Sequence, residues 1–384
     1  MKKALVFLLA FILTLSMSTS ALAGSGTIKV GNIQDTTGGT SAQGISMQRG
    51  IELAIETINA SGGINGDLIE LISYDCAANP EEAINCYKRL CEVDGVSIVL
   101  GPPLSNVGLA CIETTKEYKV PFLGAFAINK CMVNPETGET YEYMFAVQPT
   151  AEYAGRILAD YIVNKLGYTK IACLSRSDQA YLVASYGEFK ATLEEVGGEL
   201  ISDQFVLVSD TDYKMQINNM IYSGADVLVN FLETNDTVLF FNQYHQLGGE
   251  HEVCGGSTFA QPMVSMLENP DMANGLYFTN NVDMDDPRLD AVRTAYIEAY
   301  AVEPDVKSYI GYDLALVLKA ALENATSYDP EDIKLSLETN IKNLDLCQGT
   351  FSFSEQHIPQ GLPMVVFKID GGEYTVLDSY APEA

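Results

Sequence analysis

Residues 27–59 read TIKVGNIQDTTGGTSAQGISMQRGIELAIETIN. The stretch opens on a short apolar run, TIKVGNI, with the character of a strand. It closes on a helical pattern in which Met47, Ile51, Ala54, Ile55 and Ile58 share one face. Gly62 and Gly63 follow just past that face, where helix-stopping residues stand. Between strand and helix lies the glycine-rich turn DTTGGTSAQG (35–44). Such a unit often seats phosphate against backbone N–H groups at the positive end of a helix. This turn does not fit that use. A P-loop needs G-x-x-x-x-G-K-[ST], yet Gly44 is followed by Ile45 and Ser46. The G-x-G-x-x-G spacing of a dinucleotide fold is also missing from GGTSAQG.

The same strand-then-helix alternation runs outward from this stretch. IELISYD (69–75) leads into NPEEAINCYKRLCE, where Pro80 suits a first helical turn and Glu81 and Glu82 suit its positive end. VSIVLGP (96–102) leads into LSNVGLACIETTKEY and then VPFLGAFA (120–127). A second series begins near Thr150, with strand-like segments at KIACLS (170–175), ELISDQFV, ADVLVNFL (225–232) and EVCGGS, and helical patterns between them. Apolar strands bounded by helices imply parallel sheets covered on both faces. The stretch 130–148 breaks the alternation and reads as a crossover between two halves; a second crossing is expected near 275–283. Two long helical patterns follow, and the end of the chain is β-like.

Composition narrows the function classes. The 384 residues suggest two domains, and 47% hydrophobic content supplies ample core. The formal net charge of −29 repels phosphate backbones and anionic lipid, which argues against nucleic-acid and membrane-surface roles. Lys2 and Lys3, the apolar run Val6–Leu15 and ALA at 21–23 make the three regions of a secretory signal, so cleavage after Ala23 is expected. No Cys stands near that site, so no lipid anchor is expected. The eight cysteines show no C-x-x-C, and the spacing of Cys86 and Cys91 is poor for a shared metal; buried or paired structural thiols are expected. The three histidines, His245, His251 and His357, read as polar surface residues. DMDD (283–286) lacks calcium-ligand spacing and reads as a solvated loop. No nucleophile elbow or local triad appears, so neither catalysis, a metal nor a cofactor is expected.

With the segments IKVGNIQDTTGGTSAQG, INASGGINGDLIEL, NPEEAINCYKRL, VSIVLGPPLSNVGLA, VPFLGAFAIN, LADYIVNKLGYTKIACL, GADVLVNF and YIGYDLALVL in this order, the chain resembles the leucine/isoleucine/valine-binding protein family. These are the type I periplasmic solute-binding proteins of ABC importers. The resemblance spans nearly all of the chain after residue 23. It implies an α/β protein of two lobes, each a parallel sheet flanked by helices, joined by three hinge crossovers. The expected division is 1–23 signal peptide, 24–147 plus 281–350 lobe one, and 148–280 plus 351–384 lobe two. It further implies a periplasmic monomer that captures a small-molecule solute in the cleft and docks on an ABC permease.

The family's site can be carried over by position. Ser105 falls where a hydroxyl and adjacent N–H groups, including that of Asn106, hold the ligand carboxylate; Ser105 also reads as a helix N-cap. The next family loop is Ser/Ala-Ala-Thr. Here it is Phe126-Ala127-Ile128, which keeps the backbone but loses the second hydroxyl at Ile128. Gln43 falls where an aromatic often meets the ligand side chain, and it suits either a polar ligand or solvent. Tyr181 matches a ligand-covering Tyr and could equally pack a helix. Glu233 replaces another common aromatic, whereas Ser257 stands where amino-acid binders carry the acid for the α-ammonium. Glu233 is then the candidate to take over the ammonium, or else an exposed loop acid. The expected solute is an amino acid or related carboxylate. An aromatic acid, an amide-type solute, or a sensing role feeding a signalling partner remain alternatives.

Overall fold

The computed structural model describes residues 26–260 and 263–380, and the expected signal peptide, 1–23, lies outside the described residues. From the start the chain runs β1 (Thr27–Gln34), α1 (Ser41–Ala60), β2 (Leu68–Asp75), α2 (Pro80–Arg89), β3 (Ile98–Gly101), α3 (Ser105–Tyr118), β4 (Phe122–Gly124) and β5 (Met144–Ala146). It continues through α4 (Ala151–Asp160), β6 (Lys170–Arg176), α5 (Ala180–Glu195), β7 (Glu199–Val206), α6 (Lys214–Ile221), β8 (Val227–Phe231), α7 (Thr234–Gln246), β9 (Val253–Gly255), α8 (Met263–Met266) and β10 (Leu276–Asn280). It ends with α9 (Asp290–Tyr300), α10 (Val306–Asn324), α11 (Pro330–Asn340), β11 (Leu344–Leu346), β12 (Gly349–Phe353), β13 (Pro359–Gln360), β14 (Met364–Asp370) and β15 (Glu373–Tyr380).

Two sheets organise these elements into two lobes. Lobe one has the parallel order β2-β1-β3-β4-β5. Lobe two has the order β15-β14-β10-β9-β8-β6-β7, parallel from β10 to β7 and antiparallel at the β14–β15 edge. The helical stripe read from the sequence is the core contact of lobe one: Met47, Ile51, Ala54, Ile55 and Ile58 are buried against Ile310, Leu314, Leu318 and Leu322 of α10. Two glycines set the closeness of that contact. A Cβ at Gly50 would lie 2.0 Å from the Ser308 carbonyl oxygen, and one at Gly311 would lie 2.1 Å from that of Met47. Backbone therefore packs on backbone, which any larger residue prevents.

The opening glycine turn has a different occupant from phosphate. Asp35 accepts from the N–H groups of Gly38 (2.6 Å) and Thr40 (2.8 Å), and Asp75 accepts from the N–H of Thr36 at 2.8 Å. Three of the turn's N–H donors are thus taken by two carboxylates, and that negative charge repels a phosphate. Gly44 has to be small, because a Cβ there would meet the Asp35 carbonyl oxygen at 1.8 Å.

Three crossings join the lobes, after β5, after β10 and after β13. Buried amides tie them together. Asn281 donates to Gln148 Oε1 at 3.3 Å, and Gln148 donates to the Ala125 carbonyl. Gln348 donates through Nε2 both to the Val147 carbonyl and to Asp313 Oδ2, each at 3.0 Å. Burial pushes the Asp313 carboxyl up to about 6, against the hydrogen bonds it accepts from Cys347 and Gln348.

Three expectations change here. The stretch 130–148 is mostly not a crossover: residues 144–146 form β5 and pair with β4, while Cys131 and Met132 are buried in lobe one. Only the few residues beyond β5 cross. The boundary expected at 350 falls inside β12, and Phe351 and Phe353 pack on the lobe-one core, so the last crossing comes after β13. His357 is buried rather than polar surface, stacked on Phe145 at 4.0 Å with Nδ1 3.0 Å from the Met144 carbonyl oxygen. The expectation of buried or paired thiols holds in its first form: all eight cysteines are unpaired, and all but Cys91 are buried.

Gly50→Ala and Gly311→Ala test the helix contact. Alanine gains about 1 kcal/mol of helix propensity, whereas overpacking against backbone costs roughly 1–3 kcal/mol or more. Both variants are expected to unfold at lower urea than the parent; a gain in stability would show that the helices do not touch there.

Candidate functional site

A cleft opens between the lobes at the carboxyl ends of the parallel strands, the place where open α/β sheets take ligands. Its empty volume, with the solvent at its mouth counted, is ≈ 1000 Å³. Lobe one supplies Ala42 and Gln43 from the first turn of α1, Pro103 and Ser105 from the start of α3, Ala127, and Asp305, Val306 and Lys307 from the start of α10. Lobe two supplies Gln179 and Tyr181 at the start of α5, Glu233 and Thr234 at the start of α7, and Ser257, Thr258 and Ala260 after β9. Gln148, Asn280 and Asn281 of the crossings close the back.

Six of the residues expected from the sequence meet in this cleft: Gln43, Ser105, Ala127, Tyr181, Glu233 and Ser257. Three side chains do not, each for a geometric reason. The Asn106 side chain is exposed one position past Ser105, because neighbouring helical positions face different ways, and only its backbone N–H stays with the start of α3. Phe126 is fully buried: its ring lies against Gly124, where a Cβ would stand 2.2 Å from Cζ, and meets Phe122 edge-on at 5.0 Å. Ile128 is extended (φ −133°, ψ 140°) and buried beside Cys131 and Met132, so it lies on the core side while Ala127 meets the cleft. The missing hydroxyl at Ile128 therefore takes nothing from this cleft wall.

Ser105 is the first helical residue, and Leu104 holds the cap position, so Ser105 is not the N-cap of α3. Its Oγ accepts the Ala127 N–H at 3.2 Å, which leaves its own hydrogen to donate. The opening N–H groups of a helix have no partner within it, so hydroxyl and amides together suit an anion.

Glu233 faces this from lobe two. It occupies the cap position of α7, yet its side chain makes no capping bond, and it is half-buried rather than an exposed loop acid. Burial raises its pKa, with Asp236 and Asp178 adding to the rise and Arg176 and Lys307 opposing it. Tyr181 beside it is pushed up to about 12 by burial, against a hydrogen bond from Ser257. Tyr181 packs against hydrophobic clusters of both lobes, so it serves packing and cleft at once. Behind Glu233, Arg176 bonds Asp178 through Nε at 2.8 Å and Asp236 through Nη1 at 3.0 Å. That triad holds the loops of β6 and β8 in register.

Sequence reasoning missed Lys307, Asp305, Gln179 and the crossing amides. Lys307 left a signal: it stands in the first turn of α10, where the helix dipole disfavours a cation. Asp305 left one too, as an Asp three residues before Ser308 at a helix start. It is a capping box, with Asp305 Oδ1 accepting the Ser308 N–H at 2.9 Å.

Comparison with known proteins agrees with this architecture. Residues 27–373 match the family model described as periplasmic binding protein. The chain is 24% identical over 372 residues to Leu/Ile/Val-binding protein homolog 3 of Brucella melitensis, covering 96% of this chain and 98% of that one. The isoleucine complex of the branched-chain amino acid transporter substrate binding protein LivJ from Streptococcus pneumoniae has a TM-score of 0.83 at 24% identity, covering 93% of this chain and 100% of that one. An ABC-transporter solute binding protein from R. palustris in complex with benzoate has a TM-score of 0.80 at 19% identity, covering 93% of this chain and 97% of that one.

The Arg176 triad carries a stability prediction. The arginine side chain is 9% exposed, so Arg176→Met leaves two acids facing each other in a poorly solvated place. A loss of roughly 3 kcal/mol in urea unfolding is expected. Adding Asp178→Asn and Asp236→Asn should recover much of it; no recovery would mean that the arginine acts through packing alone.

Proposed function

The chain belongs to the periplasmic binding protein family, and on that premise we propose that it is the extracytoplasmic solute-binding subunit of an ABC importer. It captures a small polar solute, an amino acid or related carboxylate, and delivers it to a membrane permease. One observation carries this reading: a cleft lined by both lobes sets an uncharged anion holder, Ser105 with the start of α3, opposite an acid free of capping duty, Glu233. A zwitterion spans the two. Isoleucine and benzoate, the solutes of the two structures described above, share a carboxylate.

The mechanism follows from the two-lobed cleft. A solute touching both lobes has more contacts in the closed form than in the open one, and that difference drives closure. Closure also removes water, which strengthens each charge contact inside. The closed form is what a permease would read. In this account the chain is exported by the signal at 1–23, works in the periplasm and acts as a monomer. An aromatic acid or amide-type solute is the second reading, favoured by the amides of Gln43, Gln148, Gln179, Asn280 and Asn281 in the lining.

A thermal-shift screen of amino acids, aromatic acids and amides tests the function. A solute at 100 times its Kd stabilises the fold by about 2.7 kcal/mol, so amino acids should raise Tm. A rise with aromatic acids or amides alone selects the second reading; no rise with any small solute contradicts both.

Ser105→Ala should weaken carboxylate binding by about 1.5–3 kcal/mol in calorimetry, the usual worth of a hydrogen bond to a charged group. Unchanged affinity removes Ser105 from the site. Glu233→Gln should weaken amines and spare their deaminated analogues, and equal effects on both exclude the ammonium role. Because burial holds the Glu233 pKa above the usual carboxylate value, amine affinity should be full at neutral pH and fall as acid protonates this carboxyl.

A further inference from the structure

The cleft wall holds three charged residues among the described lining: Glu233, Asp305 and Lys307. Asp305 is committed, because Oδ1 accepts the Ser308 N–H at 2.9 Å and Oδ2 accepts the Ser46 hydroxyl at 2.7 Å. Lys307 is not. The charges acting on it are Asp305 and Glu233, and among the described residues neither closes an ion pair with its ammonium. It stands in the first turn of α10, against the helix dipole, and burial pulls its pKa down. A cation kept where dipole and desolvation both oppose it breaks two local rules, and such breaks collect at functional sites.

The two anion holders of lobe one also stand apart in their supports. Ser105 is tied to the loop after β4 by the Ala127 N–H. Lys307 begins the helix that packs on α1, where Ser46 bonds Asp305. Gln43 precedes Ser46 by one helical turn, on the same face of α1, and lines the cleft with Lys307. The cleft thus offers one holder for a cation, Glu233, and two for anions.

We propose that Lys307 is the specificity-determining residue of the cleft and that the solute is an acidic amino acid whose second carboxylate Lys307 holds. This rests on the reading above, in which Ser105 takes the α-carboxylate and Glu233 the ammonium. The amide of Gln43, in the same lining, adds donors for a polar side chain. Closure on a neutral solute would leave the lysine desolvated without an anion, and that cost is what separates the acid from its amide.

Calorimetry on the full mature chain decides it, with L-glutamate and L-aspartate set against L-glutamine and L-asparagine. The acids should bind at least about tenfold tighter than the amides. Lys307→Met should abolish that preference, by weakening the acids and relieving the amides of the unpaired charge, without lowering the unliganded Tm. Lys307→Arg should retain the preference. If amides bind as tightly as acids, or if Lys307→Met weakens both alike, the lysine holds no second carboxylate, while the amino-acid reading survives. If no amino acid binds, that reading falls and takes the proposal with it.

Discussion

Lobe one depends on the contact of α1 with α10, in which Gly50 and Gly311 let backbone meet backbone. No side chain can substitute there, because a Cβ at either position would lie about 2 Å from a carbonyl oxygen. The consequence reaches the cleft. Holding the two helices this close brings their first turns together, and the Ser46–Asp305 bond joins residues 259 positions apart in sequence. Gln43 and Lys307 thereby share one wall, although nothing local links them. The apolar stripe beneath supplies the energy, and the glycines supply the register.

Lobe two meets this wall through crossings tied by amides and through Tyr181, which packs on both lobes. Asn281 bonds Gln148 across the crossings, and Gln148 and Gln348 satisfy backbone carbonyls, so the crossing segments have defined geometry. The loops that enter the cleft come from the ends of β6, β8 and β9, and the Arg176 triad fixes two of them. Charge placement then follows a simple division. Lobe one carries the anion holders and lobe two carries the acid. A solute with both kinds of charge favours closure because each lobe alone satisfies only part of it.

Much of this was legible in the sequence, and the parts that were not have physical causes. The apolar stripe Met47–Ile58 and the strand–helix alternation reflect burial, which periodicity reports directly. Six cleft residues could be placed because the loops after parallel strands face the cleft wherever the fold recurs. Phe126 and Ile128 were misplaced because backbone alternation around Ala127 turns neighbours to opposite sides. β5 was hidden because it is short and follows no helix, so 130–148 looked like a crossing. Lys307 escaped because it comes from the start of a helix rather than the end of a strand. Its one trace was a cation at the wrong pole of α10.

The central claim is that one solute is gripped by both lobes at once. Small-angle X-ray scattering of the mature chain, with and without a saturating amino acid that raises its Tm, tests this most directly. The account predicts a smaller radius of gyration with the solute, and loss of that contraction in Glu233→Gln, which removes the grip of lobe two. An unchanged radius with bound solute would contradict it, because the solute would then be held by one lobe alone.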